Sequence, residues 1–271
     1  MSKIKDIILT AAELSKNSLL KSIHKSSKTT DEFAKKILQE VESKGFYVID
    51  SFYTEEQCEL ARKAIDQVSE DYKNDLWIDE DQSDFRAWGI NQVSEEINKF
   101  YTHPFLQSIR EQYYKLNDEF INGFTMAGKL KFVKNNKGSG GGWHRDTVND
   151  RQLKAILYLT DVTAEHGPFE YLINTQLKTS IYETIRNNNI KYNQNRFTPE
   201  EIKDIIKKNK YPLATLTGSI GSLIIVDTSG IHRGMPIQKE TRYALTNYYF
   251  VDKRKGGKGI PNNIKEILLN K

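Results

Sequence analysis

Residues 140–162 read GGGWHRDTVNDRQLKAILYLTDV. A glycine run opens onto Trp143, His144 and Asp146, and an apolar run follows within a dozen residues. In an extended segment residues i and i+2 point to the same face, so the His144 imidazole and the Asp146 carboxylate converge on one point. The run KAILYLTDV (154–162) has the composition of a strand. A histidine and a carboxylate at the head of a strand make two corners of a metal site. The fold then has to bring a third.

Working outward, further strand-like runs appear at KLKFV (129–133), FEYLI (169–173), GSLIIVD (221–227) and RYALTNYYFV (242–251). Turn residues separate them, as in an antiparallel sandwich or barrel. The N-terminal half reads mainly as helices. Ile4, Ile7, Ile8, Ala11 and Leu14 recur at helical spacing, a second such segment runs from about Thr30 to Val41, and 26–30 is a break between them. The first segment is amphipathic and is expected to pack on its own domain rather than on a membrane. GFYVIDSF (45–52) reads as a strand, Thr54 to Gln57 has the form of a capping box opening the helix that holds Cys58, and another helix is expected over 103–117. The expected fold is mainly β with flanking helices around a jelly-roll, cupin-like core. Its expected divisions are a helical arm at 1–41, a main domain at 42–255 and a tail at 256–271.

Residues 174–212 interrupt the strand series with a polar stretch holding eight Lys or Arg against four Asp or Glu. Thr198 followed by Pro199 marks a helix start within it. An insertion of this length between strands is either a lid over a site or a solvated excursion.

The composition narrows the function classes. A hydrophobic share of 38% and a charged share of 28% suit a globular protein, and with a mean hydropathy of −0.63 no run approaches the ~20 apolar residues of a membrane span. The single cysteine, Cys58, precludes an internal disulfide and points to the reducing cytoplasm. Its helical, apolar setting reads as packing rather than as a reactive thiol. The net charge of +4 comes from lysines spread along the chain, which argues against a dedicated nucleic-acid surface.

Of the five histidines, His24 and His103 fall in helical segments and His166 in the loop AEHGPF. His232 differs, because it follows a hydrophobic strand in LIIVDTSGIHRG, between Gly230 and Gly234. In a jelly roll, strands distant in sequence are neighbours, so His144, Asp146 and His232 can share one metal. Two imidazoles and a carboxylate with the opposite face open form the facial triad of non-haem Fe(II) oxygenases, unlike the closed sphere of structural zinc. A dicarboxylate co-substrate needs a cationic fork for its far end, and Arg242 opens the next strand. Trp143 reads as a packing residue beside the site.

HRD (144–146), AILYLTDV with HGPFEYL (155–172), GSLIIVDTSGIHRG (221–234) and TRYALTNYYF (241–250) together resemble the phytanoyl-CoA dioxygenase family, and GFYVIDSFYTEEQCELAR resembles its opening strand and helix. The resemblance spans roughly residues 42–251. It implies a double-stranded β-helix that uses Fe(II), 2-oxoglutarate and O2. His144, Asp146 and His232 would bind iron, Arg242 would hold the 2-oxoglutarate C5 carboxylate, and Lys131 is a further candidate for the co-substrate pocket. One stretch departs from the family pattern: Leu172 to Gln176 stands where many members carry a proline-glycine-serine-histidine turn. Related halogenases place a small apolar residue at the carboxylate position, so Asp146 favours oxygenation, with desaturation, ring closure and epimerisation left open as outcomes of the same chemistry. The implied activity is hydroxylation of a small organic substrate with no membrane partner. A non-catalytic jelly-roll binding protein and an oxygenase of a protein, glycan or tRNA are the alternatives.

Overall fold

The computed structural model describes residues 3–21, 31–148, 150–264 and 268. His24 and the expected break at 26–30 lie outside them. In chain order the elements are α1 (Lys3–Lys21), α2 (Glu32–Lys44), β1 (Phe46–Ile49), α3 (Glu55–Asp71), β2 (Trp77–Ile78), β3 (Asp84–Trp88), α4 (Glu95–Tyr101), α5 (Pro104–Tyr114), β4 (Ile121–Lys131), β5 (Leu153–Tyr158), β6 (Phe169–Leu172), α6 (Lys178–Asn187), α7 (Pro199–Asn209), β7 (Leu213–Leu216), β8 (Leu223–Asp227), β9 (His232–Gly234) and β10 (Thr241–Val251).

The strands form two antiparallel sheets, a seven-stranded one in the order β1-β8-β5-β10-β4-β3-β2 and a three-stranded one in the order β7-β6-β9. This is a jelly roll with α2 to α5 against the larger sheet, while α6 and α7 pack with Leu172 of β6 in a separate apolar cluster. Period-two alternation sorts the residues of the central strands. Leu153, Ala155 and Leu157 on β5 and Leu245 and Tyr249 on β10 join the helix-backed core, together with Ile37 and Val41 of α2, Ala61 and Ile65 of α3 and Ile109 of α5. Their neighbours Lys154, Ile156 and Tyr158, and Arg242, Ala244, Thr246 and Tyr248, line a cavity on the other face.

Local signals account for the helices. Thr54 Oγ1 accepts from the Gln57 backbone N–H at 3.2 Å and the Gln57 side chain accepts from the Thr54 N–H at 2.8 Å, closing the expected capping box. Thr198 and Glu201 repeat it at the start of α7, with Pro199 in the first turn. The expected helix over 103–117 runs as Pro104–Tyr114, capped by the His103 side chain.

Several boundaries differ from expectation. Of KLKFV only 129–131 are strand, the end of the eleven-residue β4, which stops before Phe132. β2, β3, β7, β9 and α4 carried too little apolar periodicity to be anticipated; β3 in particular turns the polar Asp84 and Arg86 to the cavity. α1 packs beside α6, yet its Ile4 and Ile8 face outward while Asp6 and Thr10 are buried. No helix among the described residues is long and apolar enough to cross a membrane.

Candidate active site

His144 and His232 face each other across a single antiparallel bridge, each donating its backbone N–H to the other's carbonyl at 2.9 Å. Their ring centroids lie 4.3 Å apart. The smaller sheet supplies His232 through β9, and the stretch after the glycine run supplies His144. Asp146 is held by its backbone N–H, which donates to Thr228 O at 3.0 Å, and its Oδ1 lies 3.7 Å from His144 Nε2. One ligand atom from each of the three residues falls within 4.8 Å of the others.

The protonation of these groups suits a metal. His144 Nδ1 lies 2.8 Å from the Gly142 carbonyl and His232 Nδ1 lies 2.9 Å from that of Gly230. A carbonyl oxygen only accepts, so each Nδ1 carries the ring proton and each Nε2 keeps its lone pair. Burial pushes both imidazoles below the ordinary histidine value, and His232, with His144 beside it, is pushed furthest. Burial by itself would raise the Asp146 carboxyl, but Lys154, His232 and His144 hold it well below the usual carboxylate range. Two neutral imidazoles and an ionised carboxylate are the form in which a divalent cation binds. The donor set is open on one side, as a facial triad requires.

The glycine run has a steric reason. Gly140 has φ +90°, and a Cβ there would stand 2.7 Å from Cε1 of the His144 ring. An L side chain is therefore doubly disfavoured at Gly140. Trp143 is buried among Leu172, Ile181, Ile185 and Phe197 with the Arg233 guanidinium 4.7 Å from its ring centre, a packing role as expected.

The triad opens into a cavity of about 410 Å³. Arg242 lies on its wall, 7% exposed, with Nη1 donating to the Gly167 carbonyl. Burial lowers its guanidinium from the ordinary arginine value, yet arginine remains cationic at neutral pH. Lys131 is elsewhere. It is exposed, with Nζ 4.8 Å from the Phe85 ring centre. The cavity-lining residues of β4 are Met126, Gly128 and Leu130, so strand parity turns Lys131 the other way. His103 caps α5, and His166 Nδ1 contacts Thr163; neither lines the cavity.

Residues not anticipated as part of the site also line it. Lys154, 5% exposed, places Nζ 2.6 Å from Asp146 Oδ2 and 4.0 Å from the Tyr248 ring centre. Burial alone would lower its ammonium, but Asp146 overrides burial and holds it above the usual lysine value. Asp146 thus turns one oxygen toward His144 and the other toward Lys154. Arg86 pairs with Asp84 at 2.5 Å and lies over Trp77 and Trp88. Lys154 could have been found from its parity with Ile156 and Tyr158 in the strand run. Arg86 and Asp84 gave no such signal, because β3 itself was not recognised. Asn195 and Arg196, from the insertion, complete the rim.

No curated protein matches the chain. Among solved structures, the carbocyclase SnoK from nogalamycin biosynthesis superposes with a TM-score of 0.61 at 18% identity, covering 80% of this chain and 83% of its own. AviO1 from Streptomyces viridochromogenes gives 0.58 at 13% identity, over 87% and 99%. HygX from Streptomyces hygroscopicus, solved with nickel, 2-oxoglutarate and hygromycin B, gives 0.52 at 12% identity, over 79% and 86%. At these identities the likeness establishes the jelly-roll fold. A model of one protein family, described as phytanoyl-CoA dioxygenase, matches residues 41–240. That match covers most of the chain and agrees with a cavity lined by His144, Asp146, His232 and Arg242: the chain belongs to the phytanoyl-CoA dioxygenase family, the iron- and 2-oxoglutarate-dependent oxygenases.

Proposed function

We propose that this dioxygenase hydroxylates a C–H bond of a small organic substrate, with His144, Asp146 and His232 as the iron ligands and Arg242 as the anchor of the co-substrate's C5 carboxylate. The reading is carried by one observation: His144, Asp146 and His232 each bring one ligand atom within 4.8 Å of the others, on a cavity that also contains a buried arginine. When bound, Fe(II) and 2-oxoglutarate supply the oxidising chemistry, in which O2 and the co-substrate become succinate, CO2 and one oxygen atom inserted into the substrate.

The chain's own residues orient and shield that chemistry. Gly142 and Gly230 fix the two imidazole tautomers through their carbonyls. Lys154 gives the partly buried Asp146 carboxylate a cationic partner. Arg242 offers a planar fork that matches a carboxylate better than an ammonium does. The insertion 174–212 supplies one rim of the cavity and is proposed to keep water from it, within a catalytic unit that spans 42–255. The single cysteine supports a cytoplasmic location.

The test is an anaerobic titration of wild type and His144→Ala with Fe(II) and 2-oxoglutarate, following the visible charge-transfer band of the chelate. A band in wild type that is missing in the variant supports the assignment. Folded wild type that takes up iron and shows no band points instead to a binding protein, and the catalytic reading fails.

A further inference from the structure

Among the charges lining the cavity two ion pairs form, and Arg145 is buried with its guanidinium donating to the Thr175 and Ser229 carbonyls at 2.7 and 2.9 Å, which leaves one exposed cation over. Asp84 is matched by Arg86 at 2.5 Å and Asp146 by Lys154 at 2.6 Å. Arg242 is assigned above to the co-substrate. Arg196 has no such partner. It stands exposed at the rim, and its Nη1 donates to the Gly140 carbonyl at 2.9 Å and grazes that of Gly141 at 3.5 Å. No carboxylate among the described residues forms an ion pair with it.

Arg196 is also held in place. The Arg145 backbone N–H donates to the Asn195 carbonyl at 2.7 Å and the Phe197 N–H to the Trp143 carbonyl at 3.0 Å, so the segment forms an isolated antiparallel bridge between His144 and Arg196. The Phe197 ring is buried against Trp143 in a small apolar cluster. Arg196 is thus a fixed cation at the rim with no carboxylate of the described residues in an ion pair with it, and an anion arriving with the substrate would supply that partner.

The remaining walls suit the rest of such a molecule. Trp77, Trp88, Met126, Ile156 and Tyr248 present aromatic and apolar surface, and Trp77 is 42% exposed where a ligand would cover it. Resting on the oxygenase reading, we propose that the substrate is a small organic acid whose carboxylate is gripped by Arg196 at the rim, while its apolar part lies along Trp77, Trp88, Ile156 and Tyr248 toward the triad. One guanidinium nitrogen is tethered to Gly140, which orients the fork and leaves its other donors for the ligand.

Phenylacetate, phenylacetamide and phenyl phosphate serve as probes. Each is titrated anaerobically into the full-length protein loaded with Fe(II) and 2-oxoglutarate, and binding is read by calorimetry. The expected result is phenylacetate binding roughly tenfold more tightly than the amide, as one charge-assisted pair provides. Arg196→Gln removes that preference and Arg196→Lys keeps part of it. Both variants should melt close to wild type, and an arginine that merely staples the glycine run would change melting without changing the acid-to-amide ratio. Equal or absent binding of acid and amide in wild type overturns the proposal, as does a preference that survives Arg196→Gln. An Arg196-dependent preference for phenyl phosphate over phenylacetate overturns the carboxylate assignment. The chelate band of the same sample reports separately on the oxygenase reading: its presence without an acid preference sinks only the role of Arg196, and its absence sinks the catalytic reading itself.

Discussion

The two faces of the seven-stranded sheet are built from alternate residues of the same strands, and they follow opposite rules. On β5 the residues Leu153, Ala155 and Leu157 meet the helices, while Lys154, Ile156 and Tyr158 meet the cavity. On β10 Leu245 and Tyr249 take the first side, and Arg242, Thr246 and Tyr248 the second. Burial does not separate them, since Leu245 is 0%, Lys154 5% and Arg242 7% exposed. What separates them is how each is compensated. The helix face is stabilised by apolar area removed from water, whereas the cavity face carries charges that need specific partners. Stability and chemistry are therefore expected to be separable by mutation, one residue apart on one strand.

The sharpest test of that separation is at the triad. His144→Ala should lower 2-oxoglutarate turnover by more than the roughly 100-fold that loss of an outer metal partner costs, with the melting temperature moved by only a few degrees. A variant that loses its fold as well would break the comparison. On the opposite face, Leu245→Ala should lower unfolding free energy by about 2–5 kcal/mol in urea denaturation, while the midpoint of the chelate-band titration stays at the wild-type value. A shift of both together would mean that the two faces are coupled.

Lys154→Met lies between these extremes. It leaves the partly buried Asp146 carboxylate without its cationic partner, so the metal-free protein should lose about 1–3 kcal/mol. Added metal supplies the missing positive charge and should raise the variant's melting temperature more than it raises that of wild type. Equal metal-induced shifts in differential scanning calorimetry would remove Lys154 from the site. Arg242→Gln should weaken 2-oxoglutarate by about tenfold, the order of one charge-assisted hydrogen bond, without altering the affinity for iron alone in an anaerobic titration. The smallest effect is expected at the α7 cap, two residues beyond Arg196: Thr198→Ala should cost about 1 kcal/mol. Its melting curve should shift slightly while the acid-to-amide ratio at Arg196 holds.

The legibility of the two faces in the chain also differs, for the same physical reason. The helix face obeys apolar periodicity, so β5, β8 and β10 and the caps at Thr54 and Thr198 could be recognised from local pattern. The cavity face interrupts that pattern. In β3 the inward residues are Asp84 and Arg86, which makes the strand look like a loop, and β9 is only three residues long. α1 shows the reverse failure, an apolar helical pattern whose Ile4 and Ile8 are exposed.

By itself the sequence determined what depends on neighbours along the chain: the same-face placement of His144 and Asp146, the glycine run that admits the His144 ring, the helix caps, and Arg242 at the head of its strand. Only the tertiary structure decided what depends on strand pairing and on the path of the insertion. The bridge that joins His144 to His232, the Lys154 partner of Asp146 and the seat of Arg196 each rest on backbone hydrogen bonds or ion pairs between segments that are not adjacent in the chain. Side-chain parity along a strand is a local property with a period of two, whereas register between strands is set by long-range pairing that no local pattern encodes.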